Sequence, residues 1–134
     1  MKKSLAAYRQ LFVINGRLVA FSFLMTFYSS FGQTYFIGVF GPQIQAEFDL
    51  SHTLWGSIYL AGTLASALLM PFTGALIDRF SLSSYSIAVA FGLLAACACI
   101  SLASGPVMLV IAIFLLRQSG QGLASHISIT SMAR

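Results

Sequence analysis

Charged side chains are absent from residues 18–41, 53–77 and 80–116, and the last stretch is cut by Gly105-Pro106. A helix that crosses a bilayer needs about 20 mostly apolar residues, because each adds about 1.5 Å of rise through a hydrocarbon core about 30 Å thick. The pattern predicts an all-α, polytopic membrane bundle with spans at about 18–40, 54–77, 82–103 and 106–127, behind an N-terminal segment of residues 1–17. Gly41-Pro42 is expected to stop the first span. Ser51-His52-Thr53 offers capping oxygens ahead of the second, with Trp55 and Tyr59 as interfacial aromatics and Pro71 as a bend. The fourth stretch is incomplete, since 106–116 supplies only eleven uncharged residues. A full crossing must carry Arg117 to mid-depth, where a cation costs a few kcal/mol and normally faces a bundle interior or an aqueous cavity. A short or re-entrant segment with Arg117 at an interface is the other reading.

Composition agrees with lipid as the main solvent. The chain is 58% hydrophobic and 7% charged, with a mean hydropathy of +0.89, against about 25% charged residues in soluble domains. Lys2, Lys3, Arg9 and Arg17 precede the first span, whereas Glu47, Asp49 and His52 follow it and Asp78-Arg79 follows the second. The positive-inside rule then places the N-terminus in the cytoplasm of a multi-pass protein of the inner (plasma) membrane. Because topology accounts for the net charge of +4, nucleic acid is not an expected partner. Arg17 interrupts the approach to a run too long for a signal peptide, which favours an uncleaved first span. Cys97 and Cys99 point about 200° apart on a helix and are read as small buried apolar residues. No metal, cofactor or enzymatic activity is expected, as there is no nucleophile–base pair, phosphate loop or metal cluster.

Small residues recur at helix-packing intervals: Gly62 with Ser66, Ala61 with Ala65, and Ala88 with Gly92 and Ala96. Such stripes let backbones approach closely in lipid. Gly74-Ala75-Leu76-Ile77-Asp78-Arg79 resembles the Gly-x-x-x-Asp-Arg/Lys signature between the second and third helices of the major facilitator superfamily. The family pattern continues with Gly and a basic pair where this chain has Ser81 to Ser84. Arg117-Gln118-Ser119-Gly120-Gln121-Gly122 is similar to the Arg and Gly-x-Gly of the family's fourth helix. The stretch from Ser29 to Thr34 with Phe40-Gly41-Pro42 resembles the first helix of bacterial members, including monocarboxylate-type porters. The resemblance covers roughly residues 15–134.

This resemblance implies a partial transporter fold, one three-helix repeat plus helix four, belonging to an architecture of inverted repeats around a midplane site. The expected function is that of an N-terminal fragment of a secondary transporter, with the bilayer, the missing transporter helices and a small solute as partners. Helices one and four line the pathway in that family. By periodicity, Thr26, Ser30, Gln33 and Ile37 share one face of helix one, and Arg117, Gln121 and Ser128 fall within about 40° on helix four. His126 falls about 180° from Arg117 on a regular helix, against a simple Arg–His partnership. The expected pathway residues are Arg117, Gln121, Gln33, Ser30 and Thr26. Gly74, Asp78 and Arg79 form the conformational motif, and Gly92, Gly120 and Gly122 serve helix packing. A lone mid-membrane cation, with no acidic residue inside any span, favours an organic anion. A complete small four-helix exporter and a non-transporting membrane partner are the alternatives. In proteoliposomes the isolated 134-residue chain is expected to carry no solute flux, and robust flux would overturn the fragment reading.

Overall fold

The computed structural model describes residues 2–133, with side chains described from Asn15 to Met132. The described residues are helical throughout, with short connections and no strand. They form α1 (Lys2–Ser29), α2 (Thr34–Glu47), α3 (His52–Gly74), α4 (Leu82–Ser101), α5 (Pro106–Leu116) and α6 (Ser125–Ala133). A 3₁₀ turn, Ser30–Gly32, links α1 to α2; a second, Ala75–Asp78, extends α3; and a π-helical segment, Arg117–Ala124, joins α5 to α6. Among the described residues, three helical runs are long and apolar enough to cross a membrane: His52–Asp78, Leu82–Ser101 and Pro106–Met132.

The last of these, which carries the fourth hydrophobic stretch and is the fourth run hereafter, spans 27 residues, or about 40 Å at helical rise, so it is not confined to half a bilayer. It is also the centre of the bundle. Half of its apolar window is buried within the protein, against 22% for the α3 run and 28% for α4. Leu109, Ala112, Ile113, Ala124 and Ile127 are almost wholly enclosed, whereas Phe23, Phe72, Leu102 and Val107 are left on the outer surface. A hydrophobic exterior with a buried central helix suits a lipid environment. Gly92, read as a packing residue, faces Ser119: a Cβ there would come 2.8 Å from the Ser119 Oγ.

The first hydrophobic stretch departs from its expected form. Residues 18–40 do not make one helix, because the 3₁₀ turn and the extended backbone of Gln33 (φ −77°, ψ 151°) divide α1 from α2. Gly41-Pro42 does not stop the helix either; α2 continues through Pro42 to Glu47. Proline removes one backbone donor, but packing overrides the stop signal. Gly41 is buried against the Trp55 indole, with a would-be Cβ only 3.4 Å from Nε1, and the Gln45 amide donates to the Gly41 carbonyl at 3.2 Å. The chain then reverses at Asp49, whose φ of 49° is the only positive value among described non-glycine residues. Leu50 drops into a cluster with Ile58, Leu109 and Ile113.

Serine caps start the next two helices. Ser51 Oγ accepts from the Leu54 N–H at 3.2 Å, and Ser81 Oγ from the Ser84 N–H at 3.1 Å. Pro71 lies inside α3 as expected.

The break between α1 and α2 coincides with the closest helix crossing. A Cβ on Gly32 would meet the Leu116 carbonyl and lie 2.9 Å from the Gly120 Cα; one on Gly120 would lie 2.7 Å from the Gly32 Cα. A Cβ on Gly122 would likewise come 2.9 Å from the Met70 sulfur. Gly38, in contrast, has open space around it. Gly32→Ala and Gly120→Ala are each expected to destabilise the bundle by about 1–3 kcal/mol through overpacking against backbone. Gly38→Ala is expected to be neutral or mildly stabilising. Unfolding titrations in mixed detergent micelles measure the difference, and equal effects at all three positions would contradict the crossing.

Candidate functional site

Arg117 opens the π-helical segment and reaches across to the broken first helix. Its Nη1 donates to the Gly32 carbonyl at 3.3 Å and to Thr34 Oγ1 at 3.0 Å. The guanidinium carbon sits 5.6 Å from the centroid of the Tyr59 ring, within cation–π range. The Tyr59 hydroxyl in turn donates to Thr34 Oγ1 at 3.1 Å. All three partners are neutral. Both hydrogen bonds use Nη1, and a guanidinium carries five N–H donors, so Nη2 and Nε remain available to a further acceptor.

Beside this anchor runs a groove of mixed polar and apolar lining between α3 and the helical run Pro106–Met132. A cavity of about 370 Å³ is lined by Thr63, Ser66, Ala67 and Met70 from α3 and by Arg117, Gln121, Gly122, Ser125, His126 and Ile129 opposite. A second, of about 660 Å³, shares Ala67, Met70 and His126 and extends to Pro71, Gly74, Ala75 and Asp78. Two buried polar atoms of the first cavity's residues, Thr63 Oγ1 and Gln121 Oε1, have no hydrogen-bond partner. Buried polar atoms are nearly always paired; these two, with Gln45 Oε1 outside the cavity, are exceptions among the described residues.

Neighbouring polar side chains are already satisfied. Ser66 donates to Gln118 Oε1 at 2.9 Å, and Gln118 Nε2 donates to Thr73 Oγ1 at 2.6 Å. A hydroxyl seam joins α1 to α6: Ser128 donates to the Ser22 carbonyl at 2.8 Å, its Oγ lies 2.7 Å from that of Thr26, and the Ser22 and Ser131 hydroxyls are 2.7 Å apart. These bonds fix the wall opposite the groove.

The expected site residues are therefore only partly gathered. Arg117 and Gln121 share the groove, but Thr26, Ser30 and Gln33 do not line it. Thr26 is engaged with Ser128, and the extended backbone at Gln33 breaks the periodicity that put the four helix-one positions on one face. Ile37 is buried among Leu93, Ala96 and Leu116. His126 lines the same cavity as Arg117, although a regular helix would put it about 180° away. The physical reason is the π-helical segment between them: i→i+5 bonding widens each turn and resets the angular step assumed for a regular helix.

Of the conformational motif, Gly74 is buried beside the His126 ring, Asp78 lines the second cavity and Arg79 is exposed. Tyr59, Thr63, Ser66, Met70 and Gly74 supply the α3 side of the site, and sequence reasoning did not assemble them. Their spacings of four, three, four and four form a single helical stripe that was legible in principle. No family model, curated protein or solved structure matches the chain.

Thr34→Val removes the acceptor shared by Arg117 and Tyr59. It is expected to cost about 0.5–1.5 kcal/mol. Its coupling to Arg117→Lys in a double-mutant cycle is expected to reach about 0.5 kcal/mol or more. Detergent unfolding of the four variants measures this, and strict additivity would show that the two side chains do not interact.

Proposed function

We propose that the chain forms the N-terminal part of a secondary active transporter built like the major facilitator superfamily, with the Arg117 groove holding a small organic anion during transport. The observation that carries this reading is the setting of Arg117. It lies within a helical run long and apolar enough to cross a membrane, is only partly buried, and is held by neutral partners that leave two guanidinium nitrogens for a ligand. Holding a cation at such depth is costly, and intramembrane cations mark substrate or ion routes. A carboxylate matches the planar N–H fork.

Gln121, Thr63 and Ser66 supply polar contacts along the groove wall. Gly74, Asp78 and Arg79, at the α3 end of the groove, act on its opening and closing. The N-terminus lies on the cytoplasmic side of the inner membrane, following the distribution of basic residues. The sequence resemblance supports the transporter architecture, and the helical bundle is compatible with it. In cells expressing the complete transporter, Arg117→Ala and Arg117→Lys are expected to reduce monocarboxylate uptake at least about tenfold, as loss of a charge-assisted bidentate contact would. Uptake of radiolabelled lactate at parental rates by both variants would refute the assignment.

A further inference from the structure

Gln118 lines neither cavity of the groove, yet it ties together the stretch of α3 that does. Its side chain is enclosed, and its amide is shared between two hydroxyls. Ser66 donates to Oε1 at 2.9 Å, and Nε2 donates to Thr73 Oγ1 at 2.6 Å. The amide oxygen and nitrogen are only about 2.2 Å apart, so the two hydroxyls lie within about 8 Å of each other. Ser66 and Thr73 are seven positions apart, and seven residues of straight helix rise about 10.5 Å. Between these anchors stand Ala67, Met70 and Pro71, which line the second cavity.

Pro71 is the weak point of that stretch. It has no N–H, and its ring crowds the carbonyl four residues back, so α3 lacks an internal bond there. Just beyond Thr73 the helix tightens into the 3₁₀ turn Ala75–Asp78. We propose that Pro71 is a hinge and Gln118 the latch across it. With the amide bonded to Thr73, the inner end of α3 is held against the fourth run. With that bond released, residues 71–78 swing away and widen the second cavity. This deepens, and rests on, the reading of Gly74, Asp78 and Arg79 as acting on the groove's opening.

The exchange leaves few polar groups stranded. Released from Gln118, the Thr73 hydroxyl keeps its bond to the Leu69 carbonyl at 3.0 Å. The Tyr85 hydroxyl donates to the Thr73 carbonyl, which keeps the freed end attached to α4. Thr63 lies one turn before Ser66, about 4.5 Å along α3. Its buried hydroxyl has no partner among the described residues, and it is the landing place for the freed amide. Trading one hydroxyl for another costs little in hydrocarbon, where an unpaired amide is expensive.

The test is a pair of distances measured by pulsed electron spin resonance on the 134-residue chain in lipid nanodiscs. Cys97 and Cys99 are replaced by alanine, and spin labels are placed at Phe23→Cys with Phe72→Cys, or at Phe23→Cys with Leu60→Cys. All three positions are exposed; Leu60 lies on α3 before the latch and Phe72 beyond the hinge. Gln118→Leu and Thr73→Val are each expected to broaden or lengthen the Phe23–Phe72 distance by several ångströms. The Phe23–Leu60 distance and the helical circular dichroism are expected to stay at the parent's values. A latch is open whichever half is removed, so the two substitutions together are expected to move the distance no further than either alone. Unchanged distances in both single variants overturn the proposal, and so does an equal change in both label pairs. In cells expressing the complete transporter, the same variants are expected to lower the maximal rate of lactate uptake severalfold at a KM within about twofold of the parent's. A raised KM at the parental rate would overturn the latch and make Gln118 a solute contact. Absence of uptake by the parent would overturn the anion-transport reading, and the distances would still decide the latch.

Discussion

Hydrocarbon cannot solvate a free backbone carbonyl, and this structure breaks a helix where such a carbonyl must find a partner. The chain leaves helical geometry at Gln33, freeing groups that an unbroken helix would pair. Arg117 answers with a bond to the Gly32 carbonyl, and it can reach only because Gly32 and Gly120 let the two backbones touch. A side chain at either glycine would separate the cation from its acceptor. The close crossing, the broken first helix and the reach of the arginine are therefore one arrangement. The π-helical segment begins at that arginine, which places the irregular backbone of the fourth helical run beside that of the first.

From this arrangement the groove follows. With Arg117 tied toward the first helix, the residues after it turn by wider steps and present Gln121, Ser125 and His126 to α3. The wall toward α1 is closed by serine and threonine hydroxyls bonded across the interface. The wall toward α3 is closed at Ser66, Gln118 and Thr73 but leaves Thr63 and Gln121 with unpaired atoms.

The coarse fold was legible because lipid imposes a simple rule: about 20 apolar residues make a crossing. The α3 and α4 runs followed from charge-free stretches, the first with capping oxygens at Ser51-His52-Thr53. The extent of the fourth run through Arg117 required weighing a costly cation, and the structure accepts that cost by making this run the most buried of the three. Local signals failed where distant packing decides. Gly41-Pro42 reads as a stop, yet contact with Trp55 carries α2 past it. A regular 100° step places His126 opposite Arg117, and nothing local in Ser119-Gly120-Gln121 announces the wider turn that reverses this. The pathway face on helix one was lost for the same reason, because the break beside Gln33 is held by Arg117, 85 positions from the Gly32 carbonyl it bonds. The α3 stripe from Tyr59 to Gly74 was regular enough to find, but its hydroxyls resemble ordinary packing residues until the facing helix is known.

The burial of the fourth run also bears on how the chain enters a membrane during synthesis. The earlier helical runs can partition into lipid on their own composition, but this one carries an arginine at its middle and draws its hydrogen bonds from residues made much earlier. The groups that receive its cation, the Gly32 carbonyl, Thr34 and the face of Tyr59, all precede it in the chain. The order of translation, first helix before last, is thus also the order in which the energetic obstacle is removed.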